Sequence, residues 1–188
     1  QGELSTLSVD DATRIIQFGL DKWHETIATK EYKSVLFFKN HGPMSGGSIR
    51  HPHSQIIGLR NYDYHEDITV KNMNGWLLHE DQDIRITLSK HPIIGFFEYN
   101  LRYKPDAPVR SIAMRLQQTI RYVLDSLAKF SQSYNYFFYQ LEDGYEYIKV
   151  IPRYITTPLY VGYKIPQTCN DERAAKILQN ITPYFELK

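Results

Sequence analysis

The most informative part of this sequence runs from Ser34 to Leu59 and reads SVLFFKNHGPMSGGSIRHPHSQIIGL. It opens and closes with apolar runs, which predict strands at about 34–39 and 50–59. The segment between them is rich in glycine, and glycine lets backbone N–H groups approach an anion closely. Its three glycines are Gly42, Gly46 and Gly47. The pattern therefore predicts a strand, a loop able to hold a phosphate group, and a second strand.

Three polar residues of the second predicted strand, His51, His53 and Gln55, occupy alternate positions. Residues at i, i+2 and i+4 of a strand project from the same face, so these side chains should lie together beside the glycine loop. Imidazole has an unperturbed pKa of about 6.5 and is a good nucleophile near neutral pH. The spacing therefore predicts a phosphate held by loop amides and a histidine placed to attack phosphorus.

Composition and charge limit the class of protein. The chain has 188 residues, 42% of them hydrophobic, which is enough for one large domain or two small ones in close contact. A net charge of +1 gives no general attraction to nucleic acid or to membranes, and no apolar run approaches the ~20 residues of a membrane span. The single cysteine, Cys169, excludes an internal disulfide and fits a reducing compartment. The sequence therefore predicts a cytoplasmic protein with neither nucleic acid nor membrane as a partner.

The rest of the chain alternates between helical and strand patterns. Apolar residues at helical spacing predict helices at about 9–29 and 109–130, and a cap at Asn170 or Asp171 predicts a last helix through about Asn180. Further strands are expected at about 76–78, 84–88, 92–103, 134–141 and 145–154.

The order helix, strand, turn, strand occurs twice, over about 9–59 and about 109–154. Three predicted strands precede the second helix, and none precedes the first. We interpret this as a duplicated unit whose first copy lacks its N-terminal strands in this chain. The predicted fold is α+β, with two similar halves that share a mostly antiparallel sheet and with helices packed on one side.

The stretch from Asn40 to Gln55 resembles the active-site motif of galactose-1-phosphate uridylyltransferase and its relatives in the histidine-triad superfamily. That family carries Asn, Gly, then Gly-x-Ser, then His-Pro-His-x-Gln at this spacing. The matching residues here are Asn40, Gly42, Gly46, Ser48, His51, Pro52, His53 and Gln55. Residues 160–163 resemble the family's Val-Gly-Tyr segment, and residues 171–178 resemble its closing helix. The resemblance therefore covers nearly the whole chain.

The resemblance implies that the protein is built from two histidine-triad-like halves. Residues 1–68 would form the C-terminal part of the first half and carry the active motif. Residues 69–188 would form the second half, which lacks the nucleophile. The resemblance also implies a homodimer.

The activity implied is that of a hexose-1-phosphate uridylyltransferase-like nucleotidyltransferase of carbohydrate metabolism. His53 would attack the α-phosphorus of a nucleoside-diphosphate sugar and form a covalent nucleotidyl-histidine, and a sugar 1-phosphate would then take up the nucleotide. Gln55 can donate a hydrogen bond to a phosphoryl oxygen but cannot deliver a proton. The hydrolytic branches of the superfamily carry His at that position, so Gln55 favours transfer over hydrolysis.

The resemblance also implies which residues hold the substrate. Ser48 and the amides from Gly46 to Ser48 would bind phosphate oxygens, and Asn40 would orient His53 or contact the phosphate. The other substrate-binding residues would be Gly42, Gly47, Val161 and Tyr163. Two alternatives stay open: hydrolysis or phosphorolysis of nucleotides such as dinucleoside polyphosphates, and nucleotide binding without turnover.

A structural zinc ion is a further implication of the resemblance. Some family members bind zinc through a Cys-x-x-Cys motif, a further histidine and the residue that matches His51. This chain has no Cys-x-x-Cys, and one histidine cannot hold zinc alone. We therefore expect His51 to be a zinc ligand only together with ligands absent from this chain.

Overall fold

The described residues form one antiparallel sheet of seven strands. The computed structural model describes residues 2–47, 49, 51–94, 97–127, 132–153 and 171–186. The strands are β1 (Ser34–His41), β2 (Ser54–Leu59), β3 (Gly75–Glu80), β4 (Ile84–Ser89), β5 (Tyr99–Tyr103), β6 (Tyr134–Gln140) and β7 (Glu146–Pro152). The helices are α1 (Val9–Ala28), α2 (Val70–Met73), α3 (Val109–Leu127) and α4 (Asp171–Glu186), with 3-10 turns at Leu4–Thr6, Pro43–Ser45 and Tyr64–Glu66.

The first helix begins and packs as its sequence pattern requires. Ser8 caps α1, because its side chain accepts a hydrogen bond from the backbone N–H of Asp11 at 3.0 Å. The buried residues of α1 recur at helical spacing and are Ala12, Ile16, Gly19, Leu20 and Trp23. The indole N–H of Trp23 donates to the backbone carbonyl of Val35 at 2.9 Å and so ties the helix to β1. The predicted helix at about 9–29 is confirmed.

Among the described strands, β1 and β2 join the other five through one pair, β1 with β6. The strand order is β2-β1-β6-β7-β5-β4-β3, and β1 pairs antiparallel with β6. At this junction the rings of Phe37 and Phe138 stack at 4.2 Å. The order α1, β1, β2 recurs as α3, β6, β7, as the repeat predicts. The α+β class and the antiparallel sheet are confirmed, and the division at residues 1–68 and 69–188 stays a prediction.

The three long helices share a core with one face of the sheet. Buried residues of α1, α3 and α4 belong to the same apolar cluster as Phe37, Leu101 and Val150. Side chains alternate between the faces of a strand, and the opposite face carries a smaller cluster that includes Tyr64 and Tyr147. The short helix α2, which the sequence analysis does not predict, packs on that second cluster through Met73. None of the described helices is long and apolar enough to cross a membrane.

The second strand is shorter than predicted. β2 begins at Ser54 rather than near residue 50, because Pro52 has no N–H to donate to a strand ladder. His51 and His53 therefore precede the strand instead of lying within it. Their ring centroids are nevertheless only 5.9 Å apart.

The strand predicted at about 92–103 is limited to its second half. β5 begins at Tyr99, because the backbone N–H groups of Ile93 and Ile94 donate to the side chain of Glu98, at 2.9 and 2.8 Å. These donors are consequently not used in a strand ladder.

The last helix is longer than predicted. α4 ends at Glu186 rather than near Asn180. Ile181 and Phe185 are buried in the main core, and this tertiary contact stabilises the added turns even though Pro183 lies within them.

The sheet face opposite the long helices holds a fully buried ion pair. Nζ of Lys149 lies 3.0 Å from a carboxylate oxygen of Glu98, and neither side chain is exposed. Nζ also donates to Oδ1 of Asn100 at 2.6 Å and to the backbone carbonyl of Asn72 at 2.9 Å. Burial lowers the pKa of Lys149, and attraction to the Glu98 carboxylate opposes this shift. The surrounding hydrogen bonds offset part of the cost of removing both charges from water.

A second ion pair links α1 to the sheet and depends on pH. Nε2 of His24 lies 2.6 Å from a carboxylate oxygen of Glu146, which is buried. This hydrogen bond raises the pKa of His24, and burial opposes the rise. A histidine with a raised folded-state pKa stabilises the fold fully below its unfolded pKa of about 6.5. That contribution is lost as the pH rises through the folded-state pKa.

We expect the substitution His24→Gln to lower the free energy of unfolding by about 1 kcal/mol at pH 6 and by much less at pH 9. The effect is modest because 37% of the His24 side chain is exposed, so solvent screens the pair. Urea denaturation at the two pH values measures it, with His91→Gln as the control at an exposed position. An equal loss at both pH values would contradict the assignment.

Candidate active site

The glycine loop after β1 has a backbone that requires glycine at two positions. A single 3-10 turn, Pro43–Ser45, lies between Gly42 and Gly46, whose φ angles are +79° and +81°. Residues with side chains rarely adopt such angles. Ser45 closes the turn, since its backbone N–H and its hydroxyl donate to the carbonyl of Gly42 at 3.2 and 2.7 Å.

The two residues that precede β6, Gln132 and Ser133, hold this loop in place. A Cβ on Gly42 would lie 2.4 Å from Oγ of Ser133 and 2.5 Å from the backbone carbonyl of Gln132. The same Ser133 hydroxyl accepts a hydrogen bond from the backbone N–H of Met44 at 3.0 Å. On the other side, a Cβ on Gly47 would lie 3.1 Å from Cβ of Asn40. The shape of the loop therefore depends on contacts across the β1–β6 junction.

Asn40 lies at the end of β1 and bonds to a residue that the sequence analysis does not single out. It is directly opposite Asn135 of β6, whose Nδ2 donates to Oδ1 of Asn40 at 2.6 Å. The same nitrogen donates to the backbone carbonyl of Ser45 at 3.1 Å, and Arg153 donates to Oδ1 of Asn135 at 2.6 Å. Asn135 is buried within an otherwise aromatic strand segment, Tyr134–Tyr139. A lone amide in such a strand is the signal that could have identified it.

His53 lies just before β2, at the same end of the sheet. Its Nδ1 is 3.0 Å from the backbone carbonyl of His51, and an Nδ1–H that donates there leaves the lone pair of Nε2 available. Ser54, the first residue of β2, pairs with Lys39 on β1, so His53 directly precedes the residue that lies opposite the neighbour of Asn40. Gln55 is half-buried on β2, opposite Phe38. A small cavity of about 80 Å³ is lined in part by Pro52, His53 and Lys39.

A cavity of about 350 Å³ opens beside the glycine loop. This volume lies in the range of small-molecule sites. Its lining residues are Asn40, His41, Gly42, Pro43, Ser45, Gly47, Ile49, His51 and Pro52. Cavities of about 450 and 720 Å³ lie elsewhere, but neither is lined by a histidine of the His-Pro-His segment. The predicted residues Ser48, Val161 and Tyr163 lie outside the described residues.

The described residues do not fit a zinc ion. A tetrahedral site needs four ligands, and no group of three or more His, Cys, Asp or Glu side chains that could hold a metal occurs in the described part of the chain. The prediction that His51 binds zinc with additional ligands stays a prediction.

Solved structures assign the fold to the class of the uridylyltransferases, as the resemblance predicts. A uridylyltransferase mutant has a TM-score of 0.74 at 15% identity, over 96% of this chain and 74% of that one. An ADP-glucose phosphorylase from Arabidopsis thaliana, solved with bound ADP-glucose, has a TM-score of 0.70 at 13% identity, over 95% and 69% of the two chains. At such identities the likeness concerns the fold alone.

The chain belongs to the DUF4931 family, a family of unknown function. The family's N-terminal domain matches residues 1–62, and its C-terminal domain matches residues 65–185. The crystal structure of a DUF4931 family protein from Bacillus cereus ATCC 10987 is 35% identical, with a TM-score of 0.87 over 99% of this chain and 84% of that one. Comparison with curated proteins finds no match.

Proposed function

We propose that the protein moves a nucleoside monophosphate between a nucleoside-diphosphate sugar and a sugar 1-phosphate through a covalent nucleotidyl-histidine. The observation that carries this proposal is that His53 directly precedes β2, whose first residue pairs with Lys39 next to Asn40, and that Asn40 and the glycine loop line a cavity. The fold shared with uridylyltransferases and with an ADP-glucose phosphorylase supports it. Fold alone would not suffice, because one fold hosts many functions.

The reaction takes place in two displacements at the α-phosphorus. In the first, Nε2 of His53 supplies an electron pair and forms a P–N bond, while the bond from phosphorus to the bridging oxygen breaks. The electron pair of the broken P–O bond leaves with the oxygen of the departing sugar 1-phosphate. In the second, a phosphate oxygen of the acceptor attacks phosphorus, the P–N bond breaks, and the imidazole is restored. Each step depends mainly on positioning and on stabilising charge at the phosphoryl oxygens.

The loop and its neighbours supply the donors for those oxygens. Backbone amides around Gly46 and Gly47, with Ser48, hold the non-bridging oxygens, and the amide of Gln55 donates to one of them. The amide of Gln55 can neither deliver a proton to a leaving group nor take a proton from water. Gln55 therefore favours a phosphate acceptor over hydrolysis. Val161 and Tyr163 would contact the nucleotide or the sugar, as the resemblance implies.

A second candidate is phosphorolysis, in which inorganic phosphate is the acceptor. The ADP-glucose phosphorylase that shares this fold favours it, because the two reactions differ only in the acceptor of the second displacement.

The test is the intact mass of the protein after mixing with UDP-glucose, UDP-galactose or ADP-glucose. We expect one donor to add the mass of one nucleotidyl group. Removal of that group by a sugar 1-phosphate identifies a transferase, removal by inorganic phosphate identifies a phosphorylase, and rapid loss in buffer identifies a hydrolase. No gain with any donor, despite measurable nucleotide binding, would reject the covalent mechanism.

A further inference from the structure

Arg153 directly follows β7 and is connected to the glycine loop by hydrogen bonds through Ser133 and Asn135. Its backbone N–H donates to the carbonyl of Ser133 at 2.8 Å, so its main chain is held against the residue that clamps the loop. Its guanidinium donates to Oδ1 of Asn135 at 2.6 Å. The side chain is half-buried and belongs to the second part of the chain, far in sequence from the His-Pro-His segment.

The chemistry of its partners determines how Asn135 and Asn40 are oriented. Arg153 can only donate and the carbonyl of Ser45 can only accept, so Oδ1 of Asn135 faces Arg153 and Nδ2 faces Ser45 and Asn40. Because Nδ2 of Asn135 donates to Oδ1 of Asn40, the NH₂ group of Asn40 is the part left for another partner. Asn40 lines the cavity beside the loop, where that group can donate to an anion.

The positive charge of Arg153 has no carboxylate partner among the residues that the structure describes. Among the described residues no Asp or Glu lies within ion-pair distance of its guanidinium, and the residues outside that description contain neither Asp nor Glu. Arg115, by contrast, lies 2.8 Å from Asp81. A half-buried cation without a counter-ion is costly unless an anion joins it. It also polarises the hydrogen-bond chain that starts from it and strengthens each donor along that chain.

We propose that Arg153 is a positioning residue for the anionic substrate. Through Asn135 it turns the NH₂ group of Asn40 toward a phosphoryl oxygen and adds positive charge behind it. The first part of the chain thus supplies the nucleophile, and the second part supplies the charge. This inference rests on the proposed function and assigns a role within it to two residues of the second half.

Arg153→Gln and Arg153→Lys test the proposal, because glutamine keeps a hydrogen-bond donor without charge and lysine keeps the charge. We expect Arg153→Gln to slow formation of the nucleotidyl-His53 adduct about 100-fold, as for loss of one preorganised donor. Arg153→Lys should retain at least a tenth of the wild-type rate. Asn135→Asp, whose carboxylate would neutralise Arg153 and cannot donate to Asn40, should match Arg153→Gln and serves as the second variant. Thermal unfolding checks that each variant is folded.

Calorimetric binding of AMP and UMP separates this inference from the proposed function. We expect Arg153→Gln to weaken binding of the preferred monophosphate about tenfold, as for one charge-assisted hydrogen bond. If the wild type forms no adduct but the variant loses this affinity, the covalent mechanism fails and the role of Arg153 stands. If folded Arg153→Gln and Arg153→Lys behave alike in both assays, Arg153 is only structural. Wild-type behaviour of Asn135→Asp would also overturn the proposal.

Discussion

Replacing His53 with alanine should abolish covalent nucleotide transfer, with a fall in rate of about 10⁴-fold or more. Removing the nucleophile of a two-step displacement leaves only the binding and charge stabilisation of the site. The glycine loop is untouched, so we expect the variant to bind the donor about as tightly as the wild type. Single-turnover assays with the preferred donor measure the rate, and calorimetry measures the binding.

His91→Ala is the matched control for this experiment. His91 is an exposed imidazole between β4 and β5, away from the glycine loop, and its removal should leave the rate unchanged. A His53→Ala protein that still acquires the nucleotide would place the nucleophile elsewhere. Loss of donor binding together with activity would instead assign His53 a role in building the site.

Breaking the buried Lys149–Glu98 pair should lower the free energy of unfolding more than breaking the His24–Glu146 pair does. We expect Glu98→Gln to lower the free energy of unfolding by about 3–5 kcal/mol, because the burial of the Lys149 amine would no longer be offset by a carboxylate. Chemical denaturation measures this loss. Glu66→Gln, at an exposed position with no ion pair among the described residues, should change stability by less than about 0.5 kcal/mol.

A double variant tests whether the cost comes from the orphaned charge. Glu98→Gln combined with Lys149→Met removes both charges, and replacing a buried pair by uncharged groups is often nearly neutral. The double variant should therefore regain part of the stability that Glu98→Gln loses. The explanation is wrong if the double variant is less stable than Glu98→Gln by the full cost of the Lys149→Met substitution. In that case, removing the ammonium group brings no gain in stability.

The parts of the fold that depend on neighbouring residues could be predicted from the sequence. Ser8 and the apolar spacing after it define α1, and the turns before β4 and β7 define two hairpins. The parts that depend on distant contacts could not. The start of β5 is set by the side chain of Glu98, and the added turns of α4 depend on a core assembled from the rest of the chain.

The candidate site divides in the same way. The glycine loop and the His-Pro-His segment are contiguous in sequence, so residue types and spacing were enough to predict a candidate site there. The contact of Asn135 with Asn40 spans 95 positions and depends on the register between β1 and β6. No local pattern encodes that register. A polar residue in an aromatic strand was the only trace of it in the sequence.

The pairing of β1 with β6 also has a consequence for the order of folding. The two strands are separated by β2, α2, the β3–β5 meander and the whole of α3, so their contacts close a long stretch of chain and favour slow folding. The hydroxyl of Ser133 can hold the glycine loop only after β6 has docked on β1. Local hairpins and helices can form earlier. During refolding, recovery of ligand binding should therefore lag behind recovery of secondary structure.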